Sequence, residues 1–185
     1  MPYVQREGVN IFYDTYGRGM PIIFLHPFSS NRHIWLFQLF SFARDYQCIL
    51  IDHRGHGQSD KPTQSYTIRA MAADVSRVLD ETGHTGAVLV GNSIGGMIAM
   101  QFNLDFPDRV LGTAVIGTAT NLSVHMPPET VRKFQTDLRG SFLSLMEDEV
   151  ANRTSKIKPE ILESIRGTFL APNNFPEHVL HAHAK

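Results

Sequence analysis

The sequence holds one cysteine, Cys48, and one tryptophan, Trp35. A lone thiol cannot form an internal disulfide, and a chain without a disulfide framework suits a reducing compartment. Excess charge is also missing: 17 basic and 18 acidic side chains leave a formal net charge of −1. That balance gives no electrostatic reason to expect nucleic acid or an acidic membrane surface as a partner. No apolar run approaches the roughly 18 residues that cross a bilayer. Residues 1–8 carry Arg6 and Glu7 and have no apolar h-region of a secretory signal. The expectation is therefore a soluble cytoplasmic protein. Internal repeats and low-complexity tracts are absent as well. What is present is ordinary globular material, 42% hydrophobic and 19% charged over 185 residues. That is enough for one domain with a core, or a large piece of one.

Two periodicities alternate along the first two thirds. Val9 to Tyr16 sets Val, Ile, Tyr and Tyr against polar residues, as a strand with one solvent face does. Gly17-Arg18-Gly19 makes a turn. Short continuous apolar runs follow at Pro21 to Leu25, Cys48 to Ile51, Ala87 to Val90 and Val110 to Ile116. Such runs, bounded by turn residues, suit parallel strands buried on both faces. Helical spacing lies between them. Asn31 to Phe42 carries Ile34, Trp35, Phe37, Leu39 and Phe40, with the aromatic residues expected to pack on the sheet. Thr67 to Glu81 is apolar near a 3.6 period and ends at Gly83, a C-cap glycine. Ile94 to Phe106 is stopped by Pro107. Met71, Met97 and Met100 sit at helical spacings and read as core. Alternating strands and helices predict an α/β fold, a mostly parallel sheet of about six strands with helices on both faces. Two of those strands form an N-terminal antiparallel pair.

The texture changes near Asn121. No buried strand run recurs after Ile116, and proline-opened helical stretches occupy the remainder. Residues 1–121 are expected to form the sheet core and residues 122–185 a helical cap attached to it.

The segment richest in chemistry is Ala87-Val88-Leu89-Val90-Gly91-Asn92-Ser93-Ile94-Gly95-Gly96. An apolar strand runs straight into G-x-S-x-G and an apolar helix runs straight out. This is the setting of a nucleophile elbow, a turn so tight that Ser93 is strained and glycine is needed at Gly91 and Gly95. Ser93 would then project above the sheet edge, with backbone N–H groups and the positive end of a helix dipole beside its oxygen. The competing reading is a glycine-rich turn in which Ser93 merely caps the helix.

On three motifs in order, the chain resembles the α/β-hydrolase fold family. They are Leu25-His26-Pro27-Phe28, Asp52-His53-Arg54-Gly55-His56-Gly57-Gln58-Ser59-Asp60, and Gly91-Asn92-Ser93-Ile94-Gly95-Gly96. The resemblance implies that Ser93 attacks a carbonyl and that an oxyanion hole is formed by the backbone N–H groups of Phe28 and Ile94. Pro27 departs from the usual glycine. The resemblance also reads the 52–60 loop as a structural turn whose polar side chains bind backbone, so the His53 and His56 spacing is not a metal pair. His26 reads as a packed loop histidine. No metal and no cofactor is expected.

A serine nucleophile needs a base. The resemblance places the acid and the histidine after later strands, in the order Ser, acid, His. No such strands are legible here, and 117–121, GTATN, holds no carboxylate. His125, His178, His181 and His183 follow Ser93 but none stands in the family position. The expectation is a chain lacking the C-terminal part of the fold: a truncated product, a fragment, or one complemented by a second chain. An uncovered sheet edge predicts self-association. The expected substrate is a small carboxylic ester or lactone. The alternative is a non-catalytic binding or interaction protein that keeps the elbow for folding.

Overall fold

The computed structural model describes residues 2–63, 66–120 and 128–129. Two units are distinguished, Met1–Thr120 and Asn121–Lys185. Of the second, Pro128 and Glu129 are described, exposed and helical. The cap expected over 122–185 otherwise lies outside the described residues.

The first unit is a six-stranded sheet in the order β1-β2-β4-β3-β5-β6. Its strands are β1 (Tyr3–Arg6), β2 (Val9–Tyr16), β3 (Pro21–Leu25), β4 (Gln47–Ile51), β5 (Ala87–Asn92) and β6 (Val110–Ile116). β1 pairs antiparallel with β2, and β2 antiparallel with β4. β4, β3, β5 and β6 run parallel. This is the mixed, mostly parallel sheet that the apolar runs predict. β3 is buried at all five positions and β4 at four of five, because helices cover both faces.

Successive strand residues point to opposite faces. On one face Ile22, Phe24, Cys48 and Leu50 pack with Trp35 and Leu39 of the segment carrying α1 (Leu36–Phe42). Their alternates Ile23, Leu25, Ile49 and Ile51 are buried on the other face. There α2 (Ile68–Glu81) and α3 (Ile94–Asp105) contribute Met71, Val75, Leu79, Ile98 and Phe102 to the core. Thr67 caps α2 through its side chain, which accepts from the Ala70 N–H at 3.1 Å. Gly83, at φ +76, ends it, with the His84 N–H reaching back to the Leu79 carbonyl at 3.2 Å. Met71 is core as expected, whereas Met97 and Met100 are only half-buried.

The segment expected as one helix from Asn31 to Phe42 differs. Arg32–Trp35 is a 3-10 turn and α1 begins only at Leu36. The cause is side-chain anchoring. The Asn31 side chain accepts from the His33 N–H at 3.0 Å, and the Arg32 N–H donates to Asp52 Oδ1 at 2.8 Å. Trp35 and Leu39, four apart, share the buried stripe, while Phe37 and Phe40 point away at 83% and 81% exposure. Their expected packing on the sheet is thus overturned for the two phenylalanines and holds for Trp35.

Candidate active site

The strand register decides which loops meet. Leu25 stands opposite both Ile51 and Gly91, and Asn92 opposite Ile116. The segments following β3, β4, β5 and β6 therefore all leave the sheet at its carboxyl edge. That edge is where open α/β sheets bind ligands.

At the end of β5, Ser93 has φ 53 and ψ −119. A serine in that region costs on the order of 1–3 kcal/mol and persists only where its surroundings impose it. The surroundings are visible. The Ser93 N–H donates to the Ile116 carbonyl at 2.9 Å. The Ser93 carbonyl accepts from the Gly96 N–H at 2.9 Å and from the Thr118 hydroxyl at 2.7 Å. The Ser93 side chain makes no capping hydrogen bond to α3.

Gly91 and Gly95 are both sterically required. A Cβ on Gly91 would overlap the Gly95 carbonyl at the start of α3. A Cβ on Gly95 would overlap the Leu25 carbonyl and lie 2.9 Å from that of His26. Gly95 thus lets the helix start abut the end of β3. Gly96, which the motif alone does not explain, would bring a Cβ to 2.7 Å from the Thr118 Cβ.

Ile94 is the first residue of α3, where the first turn's N–H groups have no intrahelical acceptor. Phe28 lies three residues after Leu25 in the loop against which α3 begins. Pro27 has no N–H, and Ser29 is buried with φ 60, so the loop turns sharply just after Phe28. The Phe28 ring meets the His56 ring edge-on at 5.5 Å. Phe28 and Ile94 therefore belong to adjoining segments at one sheet edge.

Three buried histidines lie behind this loop. A backbone carbonyl can only accept, which fixes their protons. His26 Nδ1–H donates to the Pro27 carbonyl at 2.8 Å, and its Nε2 accepts from the His53 N–H at 3.1 Å. His53 Nε2–H donates to the His26 carbonyl at 3.1 Å. His56 Nδ1–H donates to the Arg54 carbonyl at 3.1 Å. Burial above all, then the neighbouring His53 and His56, pushes the His26 pKa well below its ordinary value. His26 is neutral, and both its ring nitrogens are committed to backbone.

The 52–60 loop is likewise held by its side chains. Buried Asp52 accepts from Arg32 Nη1 at 2.7 Å and from the Gln58 N–H at 2.9 Å. A Cβ on Gly57 would overlap that carboxylate. The Ser59 hydroxyl donates to the Asp52 carbonyl at 2.6 Å and accepts from the Phe12 N–H at 2.8 Å. Among the described residues no group of three or more His, Cys, Asp or Glu is placed to hold a metal ion.

The edge thus gathers Ser93, Gly91, Gly95, Ile94 and the Phe28 loop. It does not bring a base to Ser93: among the described residues no side chain hydrogen-bonds its hydroxyl. His125, His178, His181 and His183 lie outside the described residues. Sequence reasoning missed Thr118 and Gly96. Both act through a contact between the start of α3 and the segment after β6 that no local pattern reveals.

A family model described as alpha/beta hydrolase fold matches residues 20–169. A solved structure of an N-acyl homoserine lactone degrading enzyme superposes with TM-score 0.88 at 52% identity, covering 98% of this chain and 70% of that one. A thermophilic esterase from Thermogutta terrifontis superposes with TM-score 0.79 at 25% identity, covering 99% and 69%. A putative carbamate hydrolase of Azorhizobium caulinodans is 34% identical over 116 residues, 63% of this chain and 44% of the relative. Epoxide hydrolase 4 of Mus musculus is 33% identical over 117 residues, 61% and 33%. The match thus spans less than half the length of these two curated relatives. Among the described residues no helix is long and apolar enough to cross a membrane.

Proposed function

The chain belongs to the α/β-hydrolase fold family, and from that premise we propose that it is a serine hydrolase of small carboxylic esters or lactones, with Ser93 as nucleophile. The observation that carries this reading is the Ser93 backbone at φ 53 combined with a side chain that does not cap α3. A serine kept only as a cap would use its oxygen on an N–H of the first turn and would need no strained backbone. The 52%-identical lactone-degrading enzyme supports a lactone as the first substrate to try. The lone Cys48, fully buried, suits the cytoplasm we propose for it.

In this mechanism Ser93 Oγ forms a bond to the carbonyl carbon while its proton passes to a histidine. The oxyanion accepts hydrogen bonds from the Phe28 and Ile94 N–H groups. Collapse expels the alkoxide, which takes the proton; in a lactone it stays tethered to the acyl group. Water then repeats the sequence and frees Ser93. The residues that would serve as base and orienting acid are not among those described. They would come from residues 121–185, from further sequence of a longer protein of which this chain is a piece, or from a second polypeptide.

The test is intact-mass analysis after a fluorophosphonate probe, with Ser93→Ala as control. One adduct, lost in the variant, is expected if a base is supplied within the chain or its homo-oligomer. A folded protein that stays unlabelled would overturn catalysis by this chain alone and favour either a fragment of a longer enzyme or a binding protein that keeps the elbow for folding.

A further inference from the structure

The segment after β6 does more than end a strand. The Thr118 hydroxyl donates to the Ser93 carbonyl at 2.7 Å. Two residues earlier, the Ile116 carbonyl accepts the Ser93 N–H at 2.9 Å. Both backbone polar groups of Ser93 are therefore gripped by one short stretch, residues 116–118. Thr118 also lies against α3. A Cβ on Gly96 would come within 2.7 Å of its Cβ and 2.8 Å of its Cγ2. Gly96 is thus bare where Thr118 seats itself. Gly117, at φ +53, turns the chain so that residue 118 can reach back.

We propose that Thr118 is a positioning residue for the nucleophile elbow, acting through its hydroxyl on the Ser93 carbonyl. The physical reason lies in the peptide between Ser93 and Ile94. Its carbonyl end is held by Thr118, and its other end is the Ile94 N–H, the second proposed oxyanion donor. A peptide group is planar, so fixing the carbonyl direction fixes the N–H direction. The same bond opposes relaxation of Ser93 from positive φ toward the allowed regions. Without it, Ser93 retains the α3 hydrogen bonds from Gly96 and Met97, at 2.9 and 3.2 Å, which leave the plane freer to rock. The inference rests on the proposed role of Ser93 for its catalytic meaning. Its geometric content stands apart from that role.

The experiment uses the full chain and two variants that separate hydroxyl from packing. Thr118→Val keeps both γ positions against Gly96 and loses the hydrogen bond. Thr118→Ser keeps the hydrogen bond and loses the methyl group. Two readouts are taken: amide hydrogen exchange of the peptide spanning 91–97, and the saturation kinetics of fluorophosphonate labelling. In Thr118→Val the 91–97 amides should exchange roughly threefold to tenfold faster, the loss of one hydrogen bond. The maximal labelling rate should fall by about the same factor, with little change in the probe concentration giving half that rate. Thr118→Ser should match the parent protein in both. The reverse pattern, a normal Thr118→Val and an altered Thr118→Ser, would assign Thr118 to packing and overturn the proposal. If the parent protein takes no label, the Ser93 reading fails on its own, and exchange still decides Thr118.

Discussion

At the scale of single residues, the histidine behind the Phe28 loop makes a definite claim about pH. His26 is fully buried, and both its nitrogens bond backbone only when Nδ1 alone carries a proton. It faces the rings of His53 and His56, at 4.1 and 5.2 Å, and the Arg32 guanidinium acts in the same direction. Its folded pKa lies well below 6.5, with burial the largest cause. Below pH 6.5 the unfolded chain therefore binds a proton that the folded chain refuses. The stability is complete above about pH 6.5 and is lost as pH falls toward the folded pKa, by up to about 1.4 kcal/mol per pH unit. Urea midpoints at pH 7.5 and 5.5 should show the parent protein less stable at the lower value. His26→Asn, which keeps a donor and an acceptor but does not titrate, should show a shallower acid slope. Equal slopes would mean that His26 titrates alike in both states. The sequence reads His26 as a packed loop histidine rather than a catalytic one. It does not reveal the exchange of bonds with His53, because that depends on β3 and β4 lying side by side.

At the scale of elements, two of the ion pairs on α2 look alike on paper and should behave differently. Arg54 Nε and Asp74 lie 2.6 Å apart with side chains 0% and 3% exposed, and Arg6 approaches the same carboxylate at 3.4 Å. Burial raises the Asp74 pKa even though both arginines pull it down. Arg77 and Glu81, 3.0 Å apart, stand one helical turn from each other with side chains 39% and 44% exposed. Removing one partner of a buried pair leaves an uncompensated charge and costs roughly 3–5 kcal/mol, whereas an exposed pair on one helix face is worth about 0.3–0.5 kcal/mol. Asp74→Ala should lower the denaturation midpoint sharply and Glu81→Ala barely move it. Similar small shifts would show that the buried pair contributes no more than the surface one. The apolar stripe of α2 was legible from Met71, Val75 and Leu79, since a 3.6 period needs only local sequence. The role of Asp74 was not. It depends on Arg54, 20 residues upstream in a loop, and only the folded chain sets the two together. Likewise the G-x-S-x-G motif announced Gly91 and Gly95, while the reason for Gly95 lies in the carbonyls of Leu25 and His26.

At the scale of the whole molecule, the described residues leave apolar side chains facing outward. Phe37 and Phe40 on α1 are 83% and 81% exposed, and on β6 Leu111, Val115 and Ile116 are 58%, 45% and 50% exposed. β6 has the composition of an interior parallel strand, yet among the described residues only β5 pairs with it. An edge strand without charges or Pro is a template for further pairing. Exposed apolar patches of this kind mark association sites. The expected outcome is therefore self-association of the purified chain, read by light scattering on a size-exclusion column over a hundredfold range of concentration. A single species of 20.8 kDa throughout would defeat the expectation. Phe37→Lys combined with Phe40→Lys tests which surface is used. Both side chains already face water, so the substitutions should cost little stability. If α1 carries the contact, the double variant becomes monomeric at concentrations where the parent is not. If β6 carries it, the variant associates as before, and Val115→Lys becomes the change that breaks it. The two surfaces lie on different elements, so their contributions should add in a variant carrying all three changes.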